Sequence, residues 1–253
     1  MKIITITNRK GGSGKTACSL ALGYGLINRG YKVLFIDSDS QCNLTTGIIG
    51  RNANYEISLL EVLQGKADIA NSLLAVDETS CLLPASGLLA IMDEQKKIKQ
   101  GTLKAALERV SPAFDYCIID TAPASDLYSL SALMVSNSVI IPTTPDIDSY
   151  EGINKVADII KEVQSGGGDV SCIGILITRF TGRNNLDKGI IKSIEKKARE
   201  LGTRVYKSRI RECVDIRKAK FKSKDIFSYA SSKSNAVIDF QAFIDEFLES
   251  EAD

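Results

Sequence analysis

The chain has 253 residues, 44% apolar and 25% charged, which suits one α/β domain, and no apolar run approaches the ~18 residues of a membrane span. Histidine is absent and the six cysteines (18, 42, 81, 117, 172 and 213) stand singly without a C-x-x-C pair. Histidine-dependent zinc sites and serine–histidine triads are therefore excluded, and the thiols read as reduced and partly buried. A net charge of +1 provides no global field, so binding to nucleic acid or lipid would need a local patch.

Met1 leads straight into the apolar strand pattern Lys2–Thr7 with no basic leader or cleavage site, so a cytoplasmic protein is expected. Residues 8–16, Asn-Arg-Lys-Gly-Gly-Ser-Gly-Lys-Thr, then open a helical pattern over Lys15–Asn28. Gly14-Lys15-Thr16 match the end of the phosphate-binding loop G-x-x-x-x-G-K-S/T, but Arg9 stands where its first glycine belongs. Glycines let backbone N–H groups turn inward around phosphate oxygens, at a helix N-terminus that favours anions. Lys15 is expected to reach the β- and γ-phosphates of ATP and Thr16 to ligate Mg²⁺, with Gly11, Gly12, Ser13, Gly14 and Ala17 completing the cradle. The plain alternative is a glycine-rich turn with two exposed lysines, against which the full spacing between strand and helix argues. Lys10 is the odd residue: Lys15 already supplies the loop's charge, so a second lysine needs another task.

The next strand, Lys32–Asp37, runs into Asp37-Ser38-Asp39-Ser40-Gln41-Cys42-Asn43. Carboxylates two apart at a strand's carboxyl end point the same way, toward the cleft where ligands of such sheets bind. One can support a Mg²⁺ shell and the other orient a water; a capping turn into the next helix is the alternative. Cys81–Ala85 and the helix Thr102–Val110 follow. Tyr116–Asp120 is then an apolar strand ending in an aspartate, a Mg²⁺-holding arrangement when it lies beside a phosphate loop. Asp126 reads as the N-cap of Asp126–Val135. Strand and helix patterns continue to alternate through Val139–Thr143, Tyr150–Gln164, Cys172–Thr178, Leu186–Leu201 and Thr203–Tyr206, with Ser165–Gly168 a loop. Apolar strands without strict alternation imply helices on both faces. The expected fold is a doubly wound, mostly parallel sheet in a three-layer P-loop sandwich, one domain over residues 1–253.

Arg209–Lys224 sets seven basic residues (Arg209, Arg211, Arg217, Lys218, Lys220, Lys222, Lys224) against Glu212 and Asp215. It is either a solvated helix face or a phosphate-binding surface of strongly salt-dependent affinity, which Lys192, Lys196, Lys197 and Arg199 could extend. Val237–Leu248 places Val237, Phe240, Phe243, Ile244, Phe247 and Leu248 at helical spacing. Its polar face carries Asp239, Asp245, Glu246, Glu249, Glu251 and Asp253, with no cation to meet anionic lipid, so it reads as a packing helix.

Lys10-Gly11-Gly12-Ser13-Gly14-Lys15-Thr16 resembles the K-G-G-x-G-K-S/T signature of the deviant Walker A ATPases. Asp37–Asn43 resembles the D-x-D-P-Q-x-N motif of their ParA branch, and Asp120-Thr121-Ala122-Pro123 is similar to its D-x-x-P Walker B form. The likeness spans nearly the whole chain and is strongest in residues 1–50 and 115–150. It implies an ATP-sandwich homodimer in which Lys10 reaches the partner's nucleotide, Asp39 positions the hydrolytic water, Asp37 supports the metal and Lys10, and Asp120 holds Mg²⁺. It further implies that Arg179 and a loop carrying Ile210 and Arg211 flank the adenine. Arg211, Arg217, Lys218, Lys220 and Lys222 would form a non-specific DNA surface, and a ParB-like centromere-binding protein would stimulate slow hydrolysis on the nucleoid. Several positions depart from the pattern: Ser40 replaces proline, Cys42 glycine, Arg211 proline, and Lys218 and Lys220 an acidic residue and a proline. The single cysteines do not fit a nitrogenase-reductase-like role, the acidic C-terminal helix argues against MinD-like membrane cycling, and there is little room for the inserts of arsenite-pump or tail-anchored-protein ATPases. A phosphate loop eight residues in leaves no space for a preceding helix-turn-helix, so operator-specific autorepression is not expected. The competing classes are a metabolic ligase of the dethiobiotin-synthetase type, which gives Lys10 no task, and a MinD-like regulatory switch without DNA.

Overall fold

Parallel pairing and apolar content together place the strands. In the computed structural model, which describes residues 1–89, 101–123, 127–182 and 185–252, the strands are β1 (Lys2–Ile6), β2 (Val33–Ser38), β3 (Leu74–Ala75) and β4 (Cys81–Leu83), followed by β5 (Tyr116–Thr121), β6 (Ser138–Thr143), β7 (Ser171–Phe180) and β8 (Val205–Arg211). They form one eight-stranded sheet in the order β3-β4-β2-β5-β1-β6-β7-β8. Only the short edge pair β3–β4 is antiparallel. The register is what positions the site. β5 lies between β1 and β2, with Ile6 opposite Asp120 and Asp37 opposite Asp120, so the carboxyl ends of three strands finish level.

The described helices are α1 (Lys15–Ile27), α2 (Asn43–Ile49), α3 (Leu59–Leu63), α4 (Thr102–Val110) and α5 (Leu127–Val135), then α6 (Ile147–Ser165), α7 (Asn185–Glu200), α8 (Val214–Phe221), α9 (Ile226–Tyr229) and α10 (Asn235–Ala252). Successive strand residues feed opposite faces. Ile4, Ile6, Val33 and Phe35 pack with α1 and α10, while Leu34, Ile36 and Ile119 pack with α3, α4 and α5, and Ile141, Ile175 and Ile177 with α6 and α7. The doubly wound, mostly parallel three-layer sandwich is thus formed.

The differences from expectation lie where the sequence is polar or short. α2, α3, α8 and α9 have too few turns to show a 3.6-residue period; a helix after Asp37–Asn43 and a helix face within Arg209–Lys224 were open alternatives, and α3 and α9 were not expected. The strand expected at Thr203–Tyr206 instead runs from Val205 to Arg211, so Ile210 and Arg211 are not in a loop. Charged Lys207, Arg209 and Arg211 alternate with inward-facing residues on this edge strand, and its outer amides have acceptors on α10. Glu246 accepts from Lys207 N (2.7 Å) and Ser208 N (2.9 Å), and Asp239 accepts from Arg211 N (2.8 Å). The packing role of α10 includes part of its acidic face, because these carboxylates block the sheet edge against further strands. Asp126 and Asp253 lie outside the described residues. All six cysteines are free thiols, Cys18 and Cys117 buried.

α1 approaches both the sheet and α10 more closely than a β-carbon permits. A Cβ on Gly23 would lie 2.0 Å from Phe35 Cε1, and one on Gly25 2.0 Å from Ile244 Cδ1. Gly23→Ala is therefore expected to destabilise the fold by about 1–3 kcal/mol through overpacking, read as a lower urea midpoint at unchanged slope.

Candidate functional site

The turn between β1 and α1 is held open by residues well outside it. Asn8 is buried, donates Nδ2–H to Pro142 O (2.7 Å) and accepts from Lys10 N (2.9 Å), which aims the chain as it leaves β1. From β7, the Thr178 hydroxyl donates to Ser13 O (2.8 Å). Gly12 (φ +73°) and Gly14 (φ +90°) sit in the left-handed region, which glycine enters without cost and which turns the loop's amides inward. α1 has no side-chain cap and no acidic residue in its first turn, so its positive end is left for an external anion. Lys15 is buried at this end and sends Nζ–H toward Lys10 O (3.3 Å). Burial lowers its pKa, against the opposing pull of Asp120 and Asp39.

Behind the loop the level strand ends stack two buried carboxylates. Asp37 accepts from Thr45 N (2.8 Å), Thr45 Oγ1 (2.7 Å) and Asp39 N (3.1 Å). Both of its oxygens are thus used, and it braces the start of α2. The expectation that Asp37 points with Asp39 into the cleft is corrected by this, since Thr45, out of sight in the sequence, captures it. Asp39 lines the cleft and accepts from Gln41 N (2.9 Å). Burial raises Asp37 to about 6 in spite of the Thr45 hydrogen bonds. Asp120 is raised as well, by burial first and then by Asp37, with Thr16, Ser19 and Lys15 opposing. Its Oδ1 accepts from Ser19 Oγ (2.9 Å), and its Oδ2 is buried with no partner. An orphaned carboxylate oxygen beside a second raised carboxylate is chemically suited to a hard divalent cation, and Thr16 and Asp120 supply oxygen donors of the type Mg²⁺ takes.

A cleft of about 570 Å³ opens in front of these groups, within the size range of small-ligand sites. Gly11, Gly12, Ser13, Gly14, Lys15, Thr16 and Ala17 line it together with Asp39, Arg179, Ile210 and Arg211, so the residues expected at nucleotide from four distant segments meet in one place. Arg179 pairs with Glu212 (3.2 Å). Three residues expected on an outer DNA surface, Arg211, Arg217 and Lys220, line this cleft. Arg211 is clamped by Asp239 through Nε (2.9 and 3.1 Å) and Nη2 (2.6 Å), hydrogen bonds that raise its pKa further. Lys220 is half-buried and donates to Asn43 Oδ1 (2.7 Å). Burial lowers its pKa, and the field of Asp120, Asp37 and Asp39 opposes this. Arg217, Lys218, Lys222 and Lys224 are exposed.

Lys10 does not line the cleft. Its ammonium pairs with Asp146, with Asp148 3.9 Å away. Asp146 is the N-cap of α6 and accepts from Thr144 Oγ1 (2.5 Å), Ser149 N (3.0 Å) and Ser149 Oγ (2.9 Å). Partial burial opposes these bonds, but they and Lys10 prevail and hold its carboxyl at about 2. Ser19, Thr45 and Asp146 are the site residues that sequence reasoning missed, and Asn43 was read only as the end of the resembled motif. Of the three, only Asp146 had a local signal, an aspartate three residues before Ser149 at a strand-to-helix junction.

A family model described as "AAA domain" matches residues 1–168. The sporulation initiation inhibitor protein Soj of Bacillus subtilis is 34% identical over 233 residues, covering 90% of this chain and 91% of that protein. A putative plasmid partition protein of Borrelia burgdorferi, solved with AMPPNP, superposes with a TM-score of 0.82 at 26% identity, over 98% of this chain and 99% of that one. A cobyrinic acid a,c-diamide synthase of Mycobacterium smegmatis, solved with ADP and magnesium, also gives 0.82, at 24% identity over 100% and 96%. That last likeness shows the fold alone.

Two raised, buried carboxylates make the nucleotide-free protein carry a charge penalty. Asp120→Asn is expected to stabilise that form by about 1 kcal/mol or more at pH 7.5, in a thermal melt, and to abolish the extra stabilisation that Mg²⁺ adds to a bound nucleotide. A carboxyl whose folded pKa is raised destabilises above that pKa and ceases to do so as pH falls toward its unfolded value. With Asp120 raised to about 7, the Tm gap between wild type and Asp120→Asn should therefore narrow as pH falls from 7.5 to about 4.5.

Proposed function

The chain belongs to the Soj/ParA family of P-loop ATPases, and from that premise we propose that it is a DNA-partitioning ATPase whose ATP-bound sandwich dimer holds DNA non-specifically. The observation that carries the reading is the separation of the two loop lysines. Lys15 is buried in its own cleft, while Lys10 leaves that cleft for the rim and rests on Asp146 and the exposed Asp148. A cation on a rim, held by partly exposed carboxylates, can be handed to the phosphates of a second copy at a cost that one ion-pair exchange covers.

Within each copy the inward amides of residues 11–16 and Lys15 bind the substrate's phosphates, and Arg179, Ile210 and Arg211 bound the base end of the cleft. Thr16 and Asp120 would hold Mg²⁺, which when bound neutralises charge on the phosphates. Asp37 keeps α2 and the acidic loop in place through Thr45, and Asp39 orients the attacking water from the cleft wall. Ser40 in place of proline frees the backbone of that loop, Cys42 in place of glycine holds a left-handed φ of +51° that restricts it, and hydrolysis without a partner is slow. Arg217, Lys218 and Lys222 contact DNA phosphates, and a ParB-like protein stimulates hydrolysis and releases the dimer. No described helix is long and apolar enough to cross a membrane, and the acidic face of α10 offers nothing to anionic lipid. A metabolic ligase on this fold would leave Lys10 idle and would need a second substrate subsite.

DNA binding measured with ATP, with ADP and without nucleotide tests the reading. Binding should require ATP and be lost in Lys10→Ala. In Arg217→Ala/Lys218→Ala it should weaken, with the slope of log affinity against log salt falling by about 1 per phosphate contact removed. Equal binding in all three nucleotide states, or none at low salt, would rule the proposal out.

A further inference from the structure

Phe221, the last residue of α8, is 69% exposed, and no other large apolar side chain among the described residues is as open. Its position is built. Lys222 N donates to Lys218 O (3.0 Å) and Ala219 O (3.1 Å), Lys224 N donates to Ala219 O (3.0 Å), and Ser223 Oγ donates to Thr46 O on α2 (2.9 Å). The ring is thus presented by a fully bonded turn. Cations surround it: Arg51 lies 5.9 Å and Lys222 6.0 Å from the ring centroid, and Lys218 and Lys224 are exposed beside it in the chain.

An exposed phenylalanine costs the protein hydration free energy, so its partner has to match both the ring and the cations. A lipid surface would want a broad apolar face. On this eight-residue helix Ala219 and Ile216 turn to the core, and the only other open apolar residue, Val214, is two turns away. A flat ring among fixed cations matches nucleic acid with an unstacked base, where the base lies on the ring and the flanking phosphates meet lysine and arginine. Every base has a π face, so such a contact is indifferent to sequence.

We propose that Phe221 is a stacking platform for an unpaired nucleobase, and that the surface of α8 therefore favours single-stranded or locally opened DNA over intact duplex. The proposal rests on the DNA-binding reading and adds to it a contact that phosphates alone do not supply.

The chain contains no tryptophan, so Phe221→Trp installs a single fluorescent reporter. With ATP present, its emission should be quenched by a single-stranded oligonucleotide. Phe221→Ala should weaken single-stranded binding about 10-fold, and duplex binding less, with the salt slope unchanged. Lys222→Ala should instead lower that slope by about 1. Both Phe221 variants should melt like the wild type, since the ring is largely open to solvent. If wild type binds DNA and Phe221→Ala binds both forms equally well, the stacking role is overturned while the partition reading stands. If wild type binds no DNA at low salt, the partition reading itself fails and this inference with it. Quenching by ATP alone would assign the ring to a protein–protein contact, and quenching by anionic vesicles without DNA would assign it to lipid; either result overturns the proposal.

Discussion

Asp37 and Asp120 stand level on adjacent parallel strands, both fully buried, and most of the site is an answer to the charge they bring. Burial drives each toward its neutral form, and the charge of Asp37 raises Asp120 further while that of Asp39 raises Asp37. The chain meets this unequally. Asp37 is given three hydrogen bonds and becomes a structural brace, while Asp120 is given one on Oδ1 and keeps a bare oxygen. One carboxylate is thereby spent on the shape of the acidic loop, and the other keeps an oxygen without a protein partner. A site of this kind is less stable empty than full, which suits a protein whose state is set by what it binds.

Three lysines divide the remaining electrostatic work around one cleft. Lys15 sits inside at the end of α1, Lys10 is drawn off to the N-cap of α6, and Lys220 enters from α8 to reach Asn43. The last is specific to this chain's departure from the family pattern, in which a proline is usual. It ties the helix that carries the basic surface to the first residue of α2, directly after the loop of Asp37 and Asp39. Ser223 bonded to Thr46 repeats the tie one turn further on. The basic surface and the acidic loop are consequently parts of one packed unit.

α10 shows how charge also serves the fold. Its aromatic face fills the core beside α1, and Asp239 and Glu246 accept from the outer amides of β8. Asp239 additionally fixes Arg211, so one carboxylate ends a sheet and shapes the wall of the cleft. The charge pattern of residues 209–224 thus divides by position: Arg211, Arg217, Lys220 and Lys224 line the cleft, and Lys222 lies against the Phe221 ring.

The sequence alone was enough for everything that depends on neighbours in the chain. The glycine spacing of residues 11–14 requires left-handed φ angles at a helix start. The unbroken apolar runs of β2, β5 and β6 require cover on both faces, and the aromatic period of α10 requires a core to face. These locate the phosphate loop and the aspartates and imply the sheet that carries them. Tertiary structure decided which charge meets which. Asn43 and Lys220 are 177 residues apart, and Lys10 and Asp146 are joined across the loop mouth. The β8 strand extends to Arg211 because β7 pairs with it on one side and α10 supplies acceptors on the other. Such pairings are set by burial and by which elements pack together, and a residue's own neighbours in the chain carry no trace of them.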